Sequence, residues 1–238
     1  MVSRVFLTAR WQNLIMANYA VDADILTKHL PNGTELDFFN GHTFVSLVGF
    51  QFFDTRLLGL PVPFHQNFEE VNLRFYVRFK DGNEWKRGTV FFKEIVPKPM
   101  ITFVANTIYG EHYATMKMKH FVKKIDNALK VNYLWQHKNH WNALAAEADL
   151  VAKPMRDGSE EEFIAEHYWG YTRLDAAKTS EYQVAHPRWQ VHEVQKFSVD
   201  CAFGDLYGSA FSDLSQRSPS SVFMAEGSTV EVFKRRVL

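Results

Sequence analysis

From Glu70 to Phe79 the chain reads EVNLRFYVRF, with apolar and hydrogen-bonding residues in strict alternation. A period of two is what a β-strand imposes, because successive side chains leave the backbone on opposite faces. One face carries Val71, Leu73, Phe75, Val77 and Phe79, and the other Glu70, Asn72, Arg74, Tyr76 and Arg78. Such a strand separates hydrocarbon from a polar layer, and that layer is either water or the wall of a pocket. This stretch organises the rest of the reading.

The flanking segments supply partners for it. Asp22 is placed to cap a short helix with Ile25, Leu26 and Leu30 on one side, stopped by Pro31 to Gly33. TELDFF and HTFVSLVGFQFF are expected to meet as a hairpin across Asn40-Gly41, whose residue types suit a two-residue turn. Residues Thr43 to Phe53 are apolar on both faces, which calls for a central strand covered on both sides. The segment 54–67, broken by Gly59, Pro61 and Pro63, is long for a connection and could bring Arg56 and His65 over the polar face of the organising strand.

Beyond it, Asp81-Gly82 turns the organising strand into a partner, Arg87 to Val96. Pro99 opens a helix with Met100, Ile101, Phe103, Val104 and Ile108 at helical spacing, and Gly110 stands past its end, so residues 87–120 read as a strand, helix, strand crossover. A hairpin turning near Asp126-Asn127 sets Leu129, Val131, Tyr133 and Trp135 on one face, whereas 141–153 fits helix or strand. Ser159 with Glu162 forms a capping box for a second helix, carrying His167 and Tyr168 as packing residues and ending at Gly170. HPRWQVHEVQKFSV and SVFMAEGSTVEVF read as strands, the latter a hairpin over Glu226-Gly227. The expected architecture is one domain over 1–238, mainly β with a few short helices, a barrel or sandwich.

Composition excludes several functions. Lys plus Arg (27) equals Asp plus Glu (27), leaving no global field for nucleic acid or an anionic membrane surface. No apolar window of about 18 residues occurs. The N-terminal segment is interrupted by Arg4 and Arg10 and lacks a signal-peptide core. The single cysteine, Cys201, forbids an intramolecular disulfide and suits a reducing compartment, so a soluble, cytoplasmic protein is expected, with homo-oligomerisation left open. There is no phosphate-binding glycine loop, no G-x-S-x-G, no H-E-x-x-H and no C-x-x-C. His137 with His140 and His186 with His192 lack a carboxylate at ligand-like spacing, so neither a metal nor a cofactor is expected. Cys201 reads as a core residue, and His120 to Lys124 as a solvated hairpin.

The polar face remains. Alternate residues of a strand stand about 7 Å apart, so Glu70, Asn72 and Arg74 would line one wall with an acid or base, an amide and a fixed cation. The alternative is that they face water and pair across strands.

The runs DTRLLGLPVPFHQNFEEVNLRFYV, YGEHY, EEFIAEHYWGY and HPRWQV together resemble the YqjF-like conserved family of unknown function, grouped with the acetoacetate-decarboxylase-like superfamily. The resemblance runs from FLTARWQNLIMANY to AEGSTVEVF. It implies a conical β-barrel with a central cavity and flanking helices. In the decarboxylases a buried lysine in a Pro-Lys-Lys motif after a helix forms a Schiff base; the corresponding stretch here, Tyr109 to Met116, contains no lysine, and Lys117 lacks the accompanying residues. The resemblance thus implies a protein binding a small carboxylate or ketone in its cavity. Arg74 would hold an oxygen, with Glu70 as proton-transfer residue, Tyr109 and Tyr113 on the opposite wall, and His186 and Trp189 nearby. Two rivals stand beside it, a Schiff-base lyase using Lys117 and a non-catalytic structural or interaction protein with a filled barrel.

Overall fold

The computed structural model describes residues 4–238. It opens on β1 (Val5–Val21), after which Asp22 caps α1 (Ala23–Thr27) by accepting from the Asp24 backbone N–H. The short β2 (Thr34–Leu36) leads to β3 (Thr43–Leu57), and a two-residue β4 (Leu60–Pro61) folds back on its end. The organising strand is β5 (Phe68–Asp81), joined by the Asp81-Gly82 turn to β6 (Glu84–Val96). Pro99 starts α2 (Pro99–Ile108), where its missing N–H costs nothing. β7 (Tyr113–Thr115) then pairs in parallel with β6, as the crossover reading requires.

β8 (Lys117–Ile125), β9 (Ala128–His137) and β10 (His140–Asp149) form a meander, so the ambiguous segment is a strand. After β11 (Lys153–Pro154) and α3 (Glu160–Ala165) come β12 (Trp169–Arg173), β13 (Thr179–Ala185), β14 (Gln190–His192) and β15 (Val194–Asp200). The chain closes with α4 (Phe203–Tyr207), a 3-10 stretch (Ser209–Gln216), β16 (Ser221–Ala225), β17 (Thr229–Phe233) and β18 (Arg236–Val237). Among the described residues no helix is long and apolar enough to cross a membrane.

Strand pairing in the larger sheet returns on itself. β1 pairs with β17, β17 with β13, β13 with β12, β12 with β6, β6 with β5, β5 with β3, and β3 again with β1. The four-stranded sheet, in order β15-β10-β9-β8, lies over the outer face of this circuit. There Val71, Leu73, Phe75 and Val77 of β5 pack with Leu129, Val131, Tyr133 and Trp135 of β9 in one apolar cluster. A second cluster on the inner face gathers Val48, Phe50 and Phe52 of β3 with Phe163 and Trp189. The alternation of β5 is therefore resolved as hydrocarbon outward under the second sheet and polar groups inward.

Three local expectations change. The Asn40-Gly41 turn forms, with φ of +49° and +80° and a Phe39–His42 bridge, but Thr34–Leu36 pairs with Val77–Phe79 of β5 rather than with β3. α3 ends at Ala165, not Gly170; Gly170 lies in β12, where a Cβ would come within 2.2 Å of the Tyr182 ring. His167 and Tyr168 consequently sit between helix and strand. The last expected hairpin is absent: β16 and β17 follow one another along one edge of β1.

The break between those two strands is Gly227, with φ +81° and the position of a Cβ only 2.1 Å from the Trp11 carbonyl oxygen. Because the obstacle is backbone, it cannot swing aside as a side chain would. Gly227→Ala is expected to cost about 2 kcal/mol or more, read as a lower urea midpoint. An unchanged midpoint would show that β1 yields there freely.

Candidate functional site

The inner face of the circuit bounds a cavity of about 140 Å³. A void of comparable size, about 150 Å³, admits a benzene-sized guest. Its apolar wall comes from Val48, Phe50 and Phe52 of β3 with Trp11 and Trp189, and Ile101, Val104 and Ala105 of α2 close one side. Its polar groups begin with Glu70, Asn72 and Arg74 of β5. Pairing extends that row sideways, because Asn72 stands opposite Glu94 of β6, and Glu94 opposite Tyr113 of β7. Paired residues share a face, so β5, β6 and β7 all present polar side chains to the cavity. Glu111, His167 and Tyr182 join from the α2–β7 connection, the α3–β12 connection and β13.

Three carboxyl groups thus meet in one buried place. Asn72 Nδ2 donates to Glu70 Oε1 (2.9 Å), and the Tyr113 hydroxyl donates to Glu70 Oε2 (3.0 Å). Burial pushes the Glu70 carboxyl up to about 7; the Asn72 and Tyr113 hydrogen bonds oppose this, repulsion from Glu111 adds to it, and Arg74 opposes it. Burial, then repulsion from Glu111 and Glu70, raises Glu94 well above the usual carboxylate range. Burial likewise raises Glu111, against the influence of Thr172, Tyr182 and His112. Carboxyls in such mutual contact titrate as a set rather than singly.

Arg74 stands further along the same wall. Its Nε and Nη2 make long contacts, 3.4 Å to the Tyr76 hydroxyl, 3.4 Å to the Ile164 carbonyl and 3.8 Å to Met16 Sδ. Among the described residues no carboxylate lies within salt-bridge distance of it. Two neutral imidazoles flank it. His167 Nε2–H donates to Asp37 Oδ2 (3.1 Å), and Arg87 Nε donates to the same oxygen (2.7 Å). Burial holds His167 down at about 4, against the pull of Asp37. His186 stacks on Trp189 with centroids 4.0 Å apart and donates through Nδ1 to the Pro187 carbonyl (2.9 Å). Burial lowers it too, to about 4, against that bond. Arg74 is thus a cation beside neutral rings, with Glu70 acting on it only at longer range.

A family model described as an uncharacterised conserved protein, DUF2071, matches residues 8–229. The chain belongs to the DUF2071 family. It is similar to the uncharacterised protein YqjF of Bacillus subtilis (strain 168), with 31% identity over 130 residues, 54% of this chain and 50% of that protein. The matched stretch thus spans about half the length of that relative. An acetoacetate decarboxylase from Legionella pneumophila superposes with a TM-score of 0.68 at 13% identity, over 98% of this chain and 87% of the other. The enduracididine biosynthesis enzyme MppR, in complex with the condensation product of pyruvate and imidazole 4-carboxaldehyde, gives 0.65 at 11%, over 100% and 90%. At these identities the likeness is one of fold.

Of the residues singled out from sequence, Glu70, Asn72, Arg74, Tyr109, Tyr113, His186 and Trp189 line the cavity of this DUF2071 member. Tyr109 contributes its ring, since its hydroxyl donates to the Phe233 carbonyl (3.1 Å). His65 does not line the cavity. It lies on the surface connection after β4 and bonds its own neighbour, Nδ1 to Pro63 O at 2.7 Å, and Arg56 likewise turns to Gly59 O. Arg78 leaves the row and pairs with Glu35 at the surface (2.6 Å). Among the described residues no lysine lines the cavity, and Lys117 is exposed beside Trp141 in a separate surface hollow. Glu94, Glu111, Tyr182 and His167 were not picked out from sequence. The YGEHY run does contain Glu111, two residues before Tyr113, which was the one available signal.

Proposed function

We propose that this chain binds a small oxygenated organic molecule, a carboxylate or ketone, in the interior of a barrel formed by the closed strand circuit, and acts on it by acid/base chemistry without a Schiff base. The observation that carries the reading is the Arg74 guanidinium on the cavity wall, with no carboxylate among the described residues within salt-bridge distance and only long hydrogen bonds of its own. An anionic or carbonyl oxygen supplies what Arg74 lacks. Glu70 is the proton-transfer group: a carboxyl at about 7 populates both its forms near neutrality, the condition a general acid or base needs. Tyr113 positions Glu70 through its hydroxyl, and His186, whose Nδ1–H goes to the Pro187 carbonyl, offers Nε2 only as an acceptor to a donor on the ligand. With no lysine on the wall, Lys117 has no access to a substrate held there. A cytoplasmic location, inferred from the lone cysteine, belongs to this reading.

Thermal-shift titration with small carboxylates and ketones tests it. A ligand that binds is expected to lose affinity by about 30-fold or more in Arg74→Ala, since charge-assisted hydrogen bonds contribute roughly 2 kcal/mol or more. Equal stabilisation of wild type and variant removes Arg74 from the site. For a ketone that binds, Glu70 is expected to catalyse deuterium exchange next to the carbonyl in D2O, followed by NMR. Exchange at an undiminished rate in Glu70→Gln takes the proton-transfer role away from Glu70.

A further inference from the structure

Polar atoms on the cavity wall are out of balance. Among the described residues, five buried atoms on lining side chains have no partner within hydrogen-bond distance: Asn72 Oδ1, Glu94 Oε2, both carboxyl oxygens of Glu111, which the Thr172 and Tyr182 hydroxyls face, and His167 Nδ1. One lining donor, Trp11 Nε1, is in the same position. His167 counts among the acceptors because its Nε2–H is committed to Asp37, and its side chain is only 1% exposed. Buried polar atoms in native proteins nearly always find partners, so a surplus this one-sided describes the missing partner, one rich in donors. Charge is equally lopsided, with Glu70, Glu94 and Glu111 sharing the cavity with a single guanidinium, Arg74. A metal ion does not fit this wall, because among the described residues no three carboxylate, imidazole or thiol groups converge on a metal-sized point.

Resting on the reading of the cavity as a ligand site, we infer that its ligand is an aminated carboxylate or ketone, whose ammonium group lies between Glu94 and Glu111 while its oxygen end meets Arg74. The ammonium supplies three N–H donors and the positive charge that the wall lacks. The groups facing the two acids are known. Glu94 is faced by Glu70, Glu111 and Tyr113, and Glu111 by Thr172, Tyr182 and His112. Burial raises both acids, and repulsion from Glu111 and Glu70 adds to this at Glu94, so a positive group placed between them offsets the cost of keeping them ionised there.

Calorimetry on the full chain at pH 7 tests this with 4-aminobutyrate, butyrate and 4-hydroxybutyrate as probes. 4-Aminobutyrate is expected to bind at least about tenfold more tightly than either of the others. The affinity ratio of 4-aminobutyrate to butyrate is expected to fall towards one in Glu94→Gln and in Glu111→Gln, isosteric changes that relieve a buried charge cluster. Butyrate or 4-hydroxybutyrate binding as tightly as 4-aminobutyrate, or a ratio unchanged in both variants, overturns the inference. If butyrate binding still depends on Arg74, the cavity reading survives that result. If none of the three probes gives an Arg74-dependent signal, both fail.

Discussion

Glu70→Gln is expected to gain stability over the wild type as the pH rises from about 5 to about 9, by roughly 3 kcal/mol at the upper end. The folded protein holds the Glu70 proton up to about 7, against 4.5 for an ordinary glutamate, chiefly because the carboxyl is buried. A group raised in this way stabilises the fold fully below its unfolded value, and that stability is lost as the pH climbs through the folded one. Glutamine carries no proton to lose, so the difference between the proteins opens over that window. His167 and His186, held at about 4 by burial, act in the opposite sense: their contribution is present above an ordinary histidine's value and is lost as the pH falls. Because they are common to both proteins, they largely cancel in the comparison. Urea denaturation at a series of pH values measures it, and a gap that stays flat with pH would mean that Glu70 is ionised throughout.

The other large effect lies on the opposite face of the same strand. Phe75 is fully buried, packs against Phe92 with ring centroids 5.2 Å apart, and belongs to the cluster between β5 and the four-stranded sheet. Phe75→Ala is expected to cost about 3–5 kcal/mol, the range for emptying an aromatic site in a packed core. Adjacent residues should therefore report different things, with Phe75 governing the unfolding midpoint and Arg74 governing ligand affinity. If Phe75→Ala unfolds at the wild-type midpoint, the second sheet is not held by this face of β5.

Much of this division was legible beforehand. Alternation over Glu70–Phe79 separated the two faces of β5, Asp81-Gly82 fixed its hairpin, and Pro99 and Gly110 bracketed α2. Local chemistry was enough for these, because each rests on one strand period or one turn. Where an expectation depended on which distant strand lay alongside, local signals misled. Asn40-Gly41 made its turn without the expected hairpin, and Glu226-Gly227 marked a step along β1 rather than a reversal. His167 was read as a helical packing residue, yet it lines the cavity because α3 stops early and β12 begins beside β6.

The carboxyl cluster shows most plainly where local reading runs out. From Asp81–Glu84 the β5–β6 register runs without interruption to Arg74–Phe91, and continued unchanged it would set Lys93 opposite Asn72. A bulge at Phe92 shifts it by one, so that Glu94 faces Asn72 and the cavity, while Lys93 turns outward to the Leu206 carbonyl. A slip of one residue exchanges the faces of a strand, and here it places an acid rather than an amine on the wall. By itself the sequence determined that β5 has an apolar and a polar side and that Glu70, Asn72 and Arg74 share the latter. Only the tertiary structure decided that this side faces a cavity and that Glu94, Glu111, Tyr182 and His167 meet there, because register, strand neighbours and burial are set by contacts between segments far apart in the chain.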